Sequence, residues 1–204
     1  MRYDAEHKQR TRAKVLKEAA RAIRREGPHR VGVAEVMAKA GLTHGGFYAH
    51  FNSKDDLVAA AIAQMFDEAM KAFAHFTAGK APEAALAAYV DFYLSPEHRD
   101  AQATGCPLPA LAADLPRLDR AARAGFTLGA ERLTSALAQL IADLGQPDAA
   151  ALASSALAEM VGAISLARAL SDPRRSDEVL RLSRDALKHR LGVAEESRGT
   201  NPPR

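Results

Sequence analysis

The sequence predicts an all-α protein, and three observations support that prediction. Apolar residues recur three and four positions apart over long segments, as on one face of a helix. No segment alternates apolar and polar residues in the manner of a strand. Alanine and leucine are abundant, tryptophan is absent and aromatic residues make up 5% of the chain, a composition that favours helices over strands.

Length and composition restrict the class of protein. A chain of 204 residues is long enough to bury roughly 70% of its unfolded surface. No apolar run approaches the roughly 18 residues of a membrane span, and the first ten residues, MRYDAEHKQR, lack the apolar segment of a secretory signal. A single cysteine excludes an internal disulfide and a CxxC metal site. We therefore expect a soluble globular protein in a reducing cytoplasm.

The first predicted helix runs from about residue 6 to residue 26. Leu16, Ala20 and Ile23 form its apolar stripe, and Gly27-Pro28 ends it. Its outer face is basic and carries Lys8, Arg10, Arg12, Lys14 and Lys17. Such a face either contacts DNA or is an ordinary solvated surface, and the sequence leaves both open.

Two short helices joined by a glycine turn follow. The first covers about Val33 to Ala40 and ends at Gly41, which suits the left-handed exit position. Thr43 is the expected N-cap of the second, a helix of barely two turns from His44 to Phe51. This arrangement is typical of a helix-turn-helix.

The rest of the chain predicts a long connecting helix and a helical bundle. Ser53 caps the connector, with Asp55 and Asp56 in its positively polarised first turn. Its apolar stripe runs over about six turns through Val58, Ile62, Met65, Phe66, Ala69, Phe73 and Phe76. The later predicted segments are a helix at 83–94, a polar loop at 95–105, a short helix from Pro107 to Pro116, helices at 118–144 and 148–170, a last helix capped by Ser176 and ending near Gly192, and a frayed tail at 193–204.

Charge divides the chain unequally. Residues 1–52 carry 11 Lys and Arg against 5 Asp and Glu, net +6, whereas residues 53–204 carry 17 against 20, net −3. This distribution indicates that the small basic N-terminal segment contacts a polyanion. The larger, slightly acidic remainder is expected to have a different function.

The segment 44–51 carries the most specific pattern. Plotted at about 100° per residue, Phe47 and Phe51 point inward, and the opposite face holds only Gly45, Gly46 and Ala49. Two glycines in a helix cost about 1 kcal/mol each relative to alanine, so helix propensity does not account for them. A bare face would instead let the backbone approach the floor of a DNA major groove. The side chains placed to contact phosphates beside it are Tyr48, His50 and Lys54.

The stretch AEVMAKAGLTHGGFYAHFNSKDDL, from Ala34 to Leu57, resembles the signature of the TetR family of bacterial transcriptional regulators. The resemblance covers roughly the first 55 to 60 residues. It implies a three-helix helix-turn-helix DNA-binding domain at 1–56, joined by a long helix to a helical ligand-binding and dimerisation domain at 57–192. It also implies a homodimer that represses from a near-palindromic operator and leaves it when a small molecule binds.

The resemblance also implies roles for individual residues. Thr43 would cap the recognition helix and contact phosphate, as would Tyr48, His50 and Lys54. His44, Gly45 and Phe47 stand where family members read base edges, although the helical plot turns Phe47 inward. Gly32 replaces a capping threonine that contacts phosphate in the family, and Arg30 is a candidate to supply that contact.

Aromatic residues cluster in the middle of the chain, because seven of the eleven Phe and Tyr lie between Phe66 and Phe126. They either fill the core or line an apolar cavity for an effector, with tyrosine hydroxyls as polar handles. The candidate ligand-binding residues are Phe66, Met70, Phe73, Tyr89, Phe92, Tyr93, Cys106, Leu108, Leu111 and Phe126.

Cys106 precedes Pro107 and is the predicted N-cap of a short helix. The positive helix end would favour the thiolate and hence reaction with an electrophilic or oxidising effector, but single cysteines are also ordinary small hydrophobes.

The helix at 148–170 is rich in Ala and Ser, and its large apolar residues are spread over several faces. A helix without a polar side is buried on both sides, either in a subunit interface formed with the last helix or in the centre of a monomer.

Enzyme classes find little support in the sequence. There is no GxSxG, HExxH, P-loop or dinucleotide-binding glycine motif, and the histidines show no metal-ligand spacing. We therefore expect neither a catalytic residue, a metal nor a cofactor. A DNA-compacting protein is a third class, disfavoured because the acidic remainder would serve no purpose in it.

Overall fold

The computed structural model describes the backbone of residues 2–194 and the side chains of residues 6–194. Within that range the chain is helical and has no strand, which confirms the predicted all-α class. The helices are α1 (Arg2–Glu26), α2 (Val33–Lys39), a 3-10 helix (His44–Ala49), α3 (Lys54–Thr77), α4 (Pro82–Tyr93), α5 (Pro96–Asp100), α6 (Pro107–Leu111), a second 3-10 helix (Leu115–Arg117), α7 (Arg120–Asp143), α8 (Ala149–Ala169) and α9 (Pro173–Arg190).

The N-terminal unit consists of α1, α2 and the first 3-10 helix, and we call it the head. Gly27 and Gly41 end α1 and α2 at φ values of +83° and +75°, a backbone conformation that only glycine adopts without strain. No capping side chain precedes α2, because Gly32 occupies that position. The buried residues of the head, including Val15, Ala19 and Ile23 of α1, are continuous with the hydrophobic core of the remaining helices.

The long helix α3 connects the head to the rest of the chain. Ser53 caps it by accepting a hydrogen bond from the Asp56 backbone N–H, as predicted. One face of α3 is buried along the helix, and α3 packs against α1, α4 and α7. The start of α3 therefore packs against the head, and its centre packs within the bundle, the name used below for helices α3–α9.

Helices α3 and α7 approach each other very closely in the bundle. A Cβ atom added to Gly129 would lie 2.1 Å from Cγ of Phe66, so the ring of Phe66 rests directly on the α7 backbone. The rings of Phe66 and Phe126 also meet edge to face, with centroids 5.4 Å apart. Glycine at 129 thus sets how closely the two longest bundle helices pack.

Two predictions around α5 and α9 are wrong. The predicted polar loop at 95–105 contains α5, because Ser95 accepts a hydrogen bond from the His98 backbone N–H and starts a helical turn. The N-cap of α9 is Asp172 and not Ser176. Ser176 instead lies buried in the first turn, where its hydroxyl donates to the Ala167 carbonyl and accepts from the Arg99 guanidinium.

Helix α8 has one buried and one open face. The buried side chains meet α7 and α9, whereas Ser155, Ala158, Gly162 and Leu166 lie on the open side. Among the residues described, α8 alone is long and apolar enough to cross a membrane, which the sequence analysis did not anticipate. Length and apolar composition are equally typical of a packed bundle helix, and one face of α8 is packed against its neighbours.

The C-terminal end differs in part from the predicted tail. Val193 was placed in a frayed segment but is buried, and its backbone N–H donates to the Lys188 carbonyl. The rest of the predicted tail from residue 195 onward lies outside the described residues.

Replacing Gly129 with alanine is expected to destabilise the protein by about 1–3 kcal/mol, the usual cost of overpacking a core. The added methyl group must displace the Phe66 ring or separate α3 from α7. Urea unfolding followed by circular dichroism measures the change. Gly125→Ala in the same helix is the matched control, because its Cβ would meet nothing closer than 4.0 Å and its stability should be equal or higher.

Candidate nucleic-acid interface and apolar cavity

The first 3-10 helix presents an open backbone surface. A Cβ atom at Gly45 would have no neighbour within 4 Å, and His44 and Ala49 are exposed beside it. Tyr48 is 71% exposed although it is a large aromatic residue, the most exposed large hydrophobic side chain among those described. An exposed aromatic side chain next to bare backbone is suited to a partner that approaches this surface closely.

Two phenylalanines hold this helix in place from behind. Phe47 and Phe51 are buried, and their rings stack with centroids 5.6 Å apart. The guanidinium of Arg12 on α1 lies 4.9 Å from the centre of the Phe51 ring, a cation–π contact. The structure thus places Phe47 in the core, as the helical plot predicts, and not at the surface position that family resemblance implied.

The rest of the turn differs from an ideal α-helix. The 3-10 helix winds more tightly than the 100° per residue assumed in the helical plot. Gly46 accordingly lies half-buried, and its Cβ would be 3.7 Å from Cε of Met37. Thr43 occupies the N-cap position but its side chain makes no capping hydrogen bond. The exposed Thr43 hydroxyl is therefore accessible to a partner.

Of the predicted phosphate-contacting residues, Lys54 forms an intramolecular hydrogen bond and His50 is partly buried. The Lys54 ammonium donates a 2.9 Å hydrogen bond to the His29 carbonyl, which ties the start of α3 to the loop after α1. His50 is half-buried, and its Nδ1 atom has no hydrogen-bond partner among the described residues. Burial lowers the pKa of His50, and the nearby charges of Lys8 and Arg12 lower it further. Arg30 lies exposed in the loop before α2.

The basic face of α1 lies on the surface of the head. Lys8, Arg10, Lys14 and Lys17 are exposed, and Arg12 is partly covered by its contact with Phe51. The head therefore combines a positive surface with a helix-turn-helix whose second element exposes backbone.

Residues 15–61 match the model of the family described as bacterial regulatory proteins, tetR family. The N-terminal part of this chain is a TetR-family helix-turn-helix domain. Proteins of this family are DNA-binding transcription factors and not enzymes. The matched segment contains the whole helix-turn-helix and the first two turns of α3.

Similarity to individual TetR-family proteins is strongest over the head. The HTH-type transcriptional regulator TtgR of Pseudomonas putida is 40% identical over 60 residues, which cover 29% of this chain and 29% of TtgR. The rest of the chain resembles solved proteins in fold alone. A TetR transcriptional regulator from Chloroflexus aurantiacus J-10-FL has 24% identity and a TM-score of 0.78 over 93% of this chain and 98% of its own. The reduced form of NemR from E. coli has 20% identity and a TM-score of 0.77 over 88% of this chain and 95% of the NemR chain.

The bundle contains a small cavity between α3, α4 and the loop before α6. Its volume is about 40 Å³, whereas ligand pockets usually measure about 300–1,000 Å³. Four predicted ligand-binding residues line it, namely Tyr89, Phe92, Tyr93 and Cys106. Sequence reasoning missed the other lining residues, which are Glu68, Ala69, Ala72, His98, Thr104 and Gly105.

The other predicted ligand-binding residues surround this cavity or lie apart from it. Phe73 packs edge to face on Tyr89, with centroids 4.7 Å apart. Phe66 and Phe126 form a separate pair on the α3–α7 contact, and Leu108 and Leu111 are buried in the core. Met70 is half-buried and packs against that core. Most of these side chains therefore fill space in the structure.

His98 organises the polar end of the cavity. It is 4% exposed, and its Nε2 atom accepts a 3.1 Å hydrogen bond from the Cys106 backbone N–H. The proton must then lie on Nδ1, which donates to the Tyr93 carbonyl at 2.7 Å. Burial lowers the pKa of His98, so the neutral imidazole is the form that the site holds.

Cys106 occupies the predicted N-cap position, and its burial favours the small hydrophobic residue over the thiolate among the two alternatives. The residue is buried, and burial raises the pKa of the thiol, an effect that outweighs the helix end. The neighbouring Tyr93 hydroxyl acts in the opposite direction on this pKa. That hydroxyl is itself buried and forms no hydrogen bond of ordinary geometry with the described residues, and its polar neighbour is the weakly hydrogen-bonding Cys106 thiol. No cluster of potential metal ligands occurs in residues 2–194.

Replacing His98 with glutamine is expected to change how stability depends on pH. Because burial lowers the pKa of His98 in the folded state, the unfolded chain binds more protons below about pH 6.5. The free energy of unfolding should therefore fall as pH decreases below that value. Urea unfolding between about pH 5 and pH 7.5 should show a steeper fall for the wild type than for His98→Gln. Equal slopes would contradict the assigned neutral state.

Proposed function

We propose that this protein is a cytoplasmic, homodimeric transcriptional regulator, acting as a repressor that binds a two-fold symmetric operator and is released by a small-molecule effector. We keep the domain division suggested by the sequence, with DNA binding at 1–56 and ligand binding and dimerisation at 57–192. The observation that carries the proposal is the open backbone at Gly45, supported from behind by the buried rings of Phe47 and Phe51.

DNA binding follows from this geometry. A helix without side chains on its outer face can lie deep in a major groove, where His44 and Thr43 reach base edges or nearby phosphates. Tyr48 and the exposed cations of α1 and Arg30 contact the phosphate backbone and supply most of the affinity. Affinity should accordingly fall steeply as salt increases. Because Gly45 and Ala49 offer no side-chain hydrogen bonds, DNA shape contributes to operator preference.

Tyr48→Ala is expected to weaken DNA binding by about tenfold on every sequence, since a phosphate contact carries no base preference and a charged hydrogen bond contributes about 1.5 kcal/mol. Operators are first selected from random duplex DNA at physiological salt, and a two-fold symmetric consensus is expected. Fluorescence anisotropy then measures affinity on the consensus and on scrambled duplexes. His44→Ala should instead change the ranking of sequences.

The matched control for Tyr48→Ala is Leu128→Ala on α7. Leu128 is also a large, exposed apolar side chain, 60% exposed, but it lies far along the chain from the head. Its replacement should leave DNA affinity unchanged. Undiminished affinity of Tyr48→Ala for the consensus would contradict the assignment of this residue to the DNA interface.

The open face of α8 supports dimerisation through the last two helices. Small residues there, such as Ala158 and Gly162, allow a second helix to approach closely, and Leu166 is 53% exposed at their edge. On α9, Leu182 is 51% exposed. Packing of the α8 and α9 faces of two chains about a two-fold axis would cover these residues and place the two heads symmetrically.

Leu166→Arg is expected to convert the dimer to a monomer, because a buried unpaired guanidinium at an interface costs several kcal/mol. Size-exclusion chromatography with light scattering should give twice the chain mass for the wild type and the single chain mass for the variant. Leu128→Arg is the control and should remain dimeric. Dimeric Leu166→Arg would exclude this face as the interface.

The effector we propose is a small, largely apolar molecule that binds at the cavity of Tyr89, Phe92 and Tyr93 and enlarges it. The unsatisfied Tyr93 hydroxyl offers it one hydrogen bond. Reaction of Cys106 with an electrophilic effector requires the same opening, because the thiol is buried. An effector can release DNA only if it binds the DNA-free conformation more tightly than the DNA-bound one.

A further inference from the structure

Arg24 is an unusual residue of the head, because its side chain is only 1% exposed. It leaves α1 on the side that faces the bundle. Its guanidinium forms an ion pair with Glu68 of α3 at 2.7 Å and donates longer hydrogen bonds, of 3.4 and 3.5 Å, to the carbonyls of Ala103 and Met65. Its Nε atom is buried without a hydrogen-bond partner in the described part of the chain.

One partner of Arg24 lies in the cavity wall, and a second lies next to it in the chain. Glu68 lines the cavity from α3, and Ala103 directly precedes the lining residues Thr104 and Gly105. The other carboxylate oxygen of Glu68 accepts a hydrogen bond from Gln64, at 3.2 Å, so the side chain is held in one position. The buried guanidinium of Arg24 therefore contacts one lining residue on α3 and the residue that directly precedes the lining loop.

The energetics make this contact sensitive to small displacements. A buried guanidinium with a single carboxylate partner is strongly destabilised when that partner moves away. A molecule that enlarges the cavity on the side of α3 or of the loop before α6 displaces Glu68 or the residues that follow Ala103. Either displacement removes a partner from Arg24, and α1 must then move with the wall or leave its charge unpaired.

We propose that the Arg24–Glu68 ion pair couples the cavity to the head, so that the closed cavity holds α1 in the DNA-binding position. The inference rests on the proposed function, because it assigns the regulation of the same cavity to named residues. Coupling between two sites is reciprocal. Operator binding must therefore favour the closed cavity by the same factor by which opening of the cavity weakens operator affinity.

Cys106 provides a direct measure of cavity opening. It is the only cysteine of the chain and is buried in the cavity wall. Ellman's reagent reacts when the thiolate attacks its disulfide, which forms a mixed disulfide at Cys106 and releases one thionitrobenzoate anion that absorbs visible light. The labelling rate of the folded protein reports how often the cavity opens.

The experiment compares labelling rates with and without saturating operator duplex, for the wild type and Glu68→Gln. For the wild type, operator should slow labelling at least about fivefold, the lower end of usual allosteric coupling. For Glu68→Gln, labelling without DNA should be faster and the effect of operator should fall below about twofold. Arg24→Met, which leaves no unpaired charge, should show the same loss, and the double variant should lose no more than either single variant.

Asp67→Asn is the matched control, because the neighbouring Asp67 forms an exposed ion pair with Arg132 on α7. Exposed ion pairs contribute little to stability. Operator should therefore slow the labelling of Cys106 in Asp67→Asn as much as it does in the wild type. Full protection retained in Glu68→Gln or Arg24→Met would overturn the inference, as would a wild type whose labelling is unaffected by bound operator. A wild type that binds no duplex would instead contradict the proposed function.

Discussion

The packing of Phe47 and Phe51 beneath the first 3-10 helix is the interaction on which the function of the head depends. Both rings are buried, and they fix the orientation of a segment too short to be stable alone. With both phenylalanine rings turned inward, the outer surface presents Gly45 and Ala49 beside the exposed side chains of His44 and Tyr48. The inward packing of Phe47 and Phe51 therefore both stabilises the head and leaves the backbone at Gly45 open.

The bundle achieves stability differently from the head. Its α3–α7 contact relies on a glycine against an aromatic ring, and its small cavity is lined in part by Tyr89, Phe92 and Tyr93. Within this apolar region lie His98, Cys106 and the Tyr93 hydroxyl, of which the hydroxyl has no hydrogen-bond partner among the residues described. Unsatisfied buried polar groups lower stability locally.

Local chemistry in the sequence predicted the helices well where a cap or a glycine decides the boundary. The ends of α1 and α2 at Gly27 and Gly41 and the start of α3 at Ser53 follow directly from backbone preferences and side-chain capping. Residues that can serve either of two structural roles were harder to predict from the sequence. Serine is a common capping residue, but Ser176 is buried, and its hydroxyl joins Arg99 of α5 to Ala167 of α8. This role depends on residues that are distant in sequence.

The candidate sites also differ in how far neighbouring residues in the sequence determine them. The open face of the 3-10 helix could be predicted because it depends on eight consecutive residues. The cavity could be predicted only as a set of aromatic residues, and His98 was missed because its burial depends on Tyr93 and on the loop at Cys106. The contact between Arg24 and Glu68 joins residues 44 positions apart, and neither differs from other surface charges in sequence. Such pairs are determined by tertiary packing.

The most direct test of the account is the DNA affinity of Gly45→Leu measured beside its thermal stability. A side chain at position 45 meets no atom of the protein within 4 Å of its Cβ, so the melting temperature should stay within about 2 °C of the wild type. If the bare backbone lies in the major groove, leucine must hold the helix away from DNA, and operator affinity should fall at least about a hundredfold. Unchanged affinity in a stable Gly45→Leu protein would contradict the claim that this surface contacts DNA.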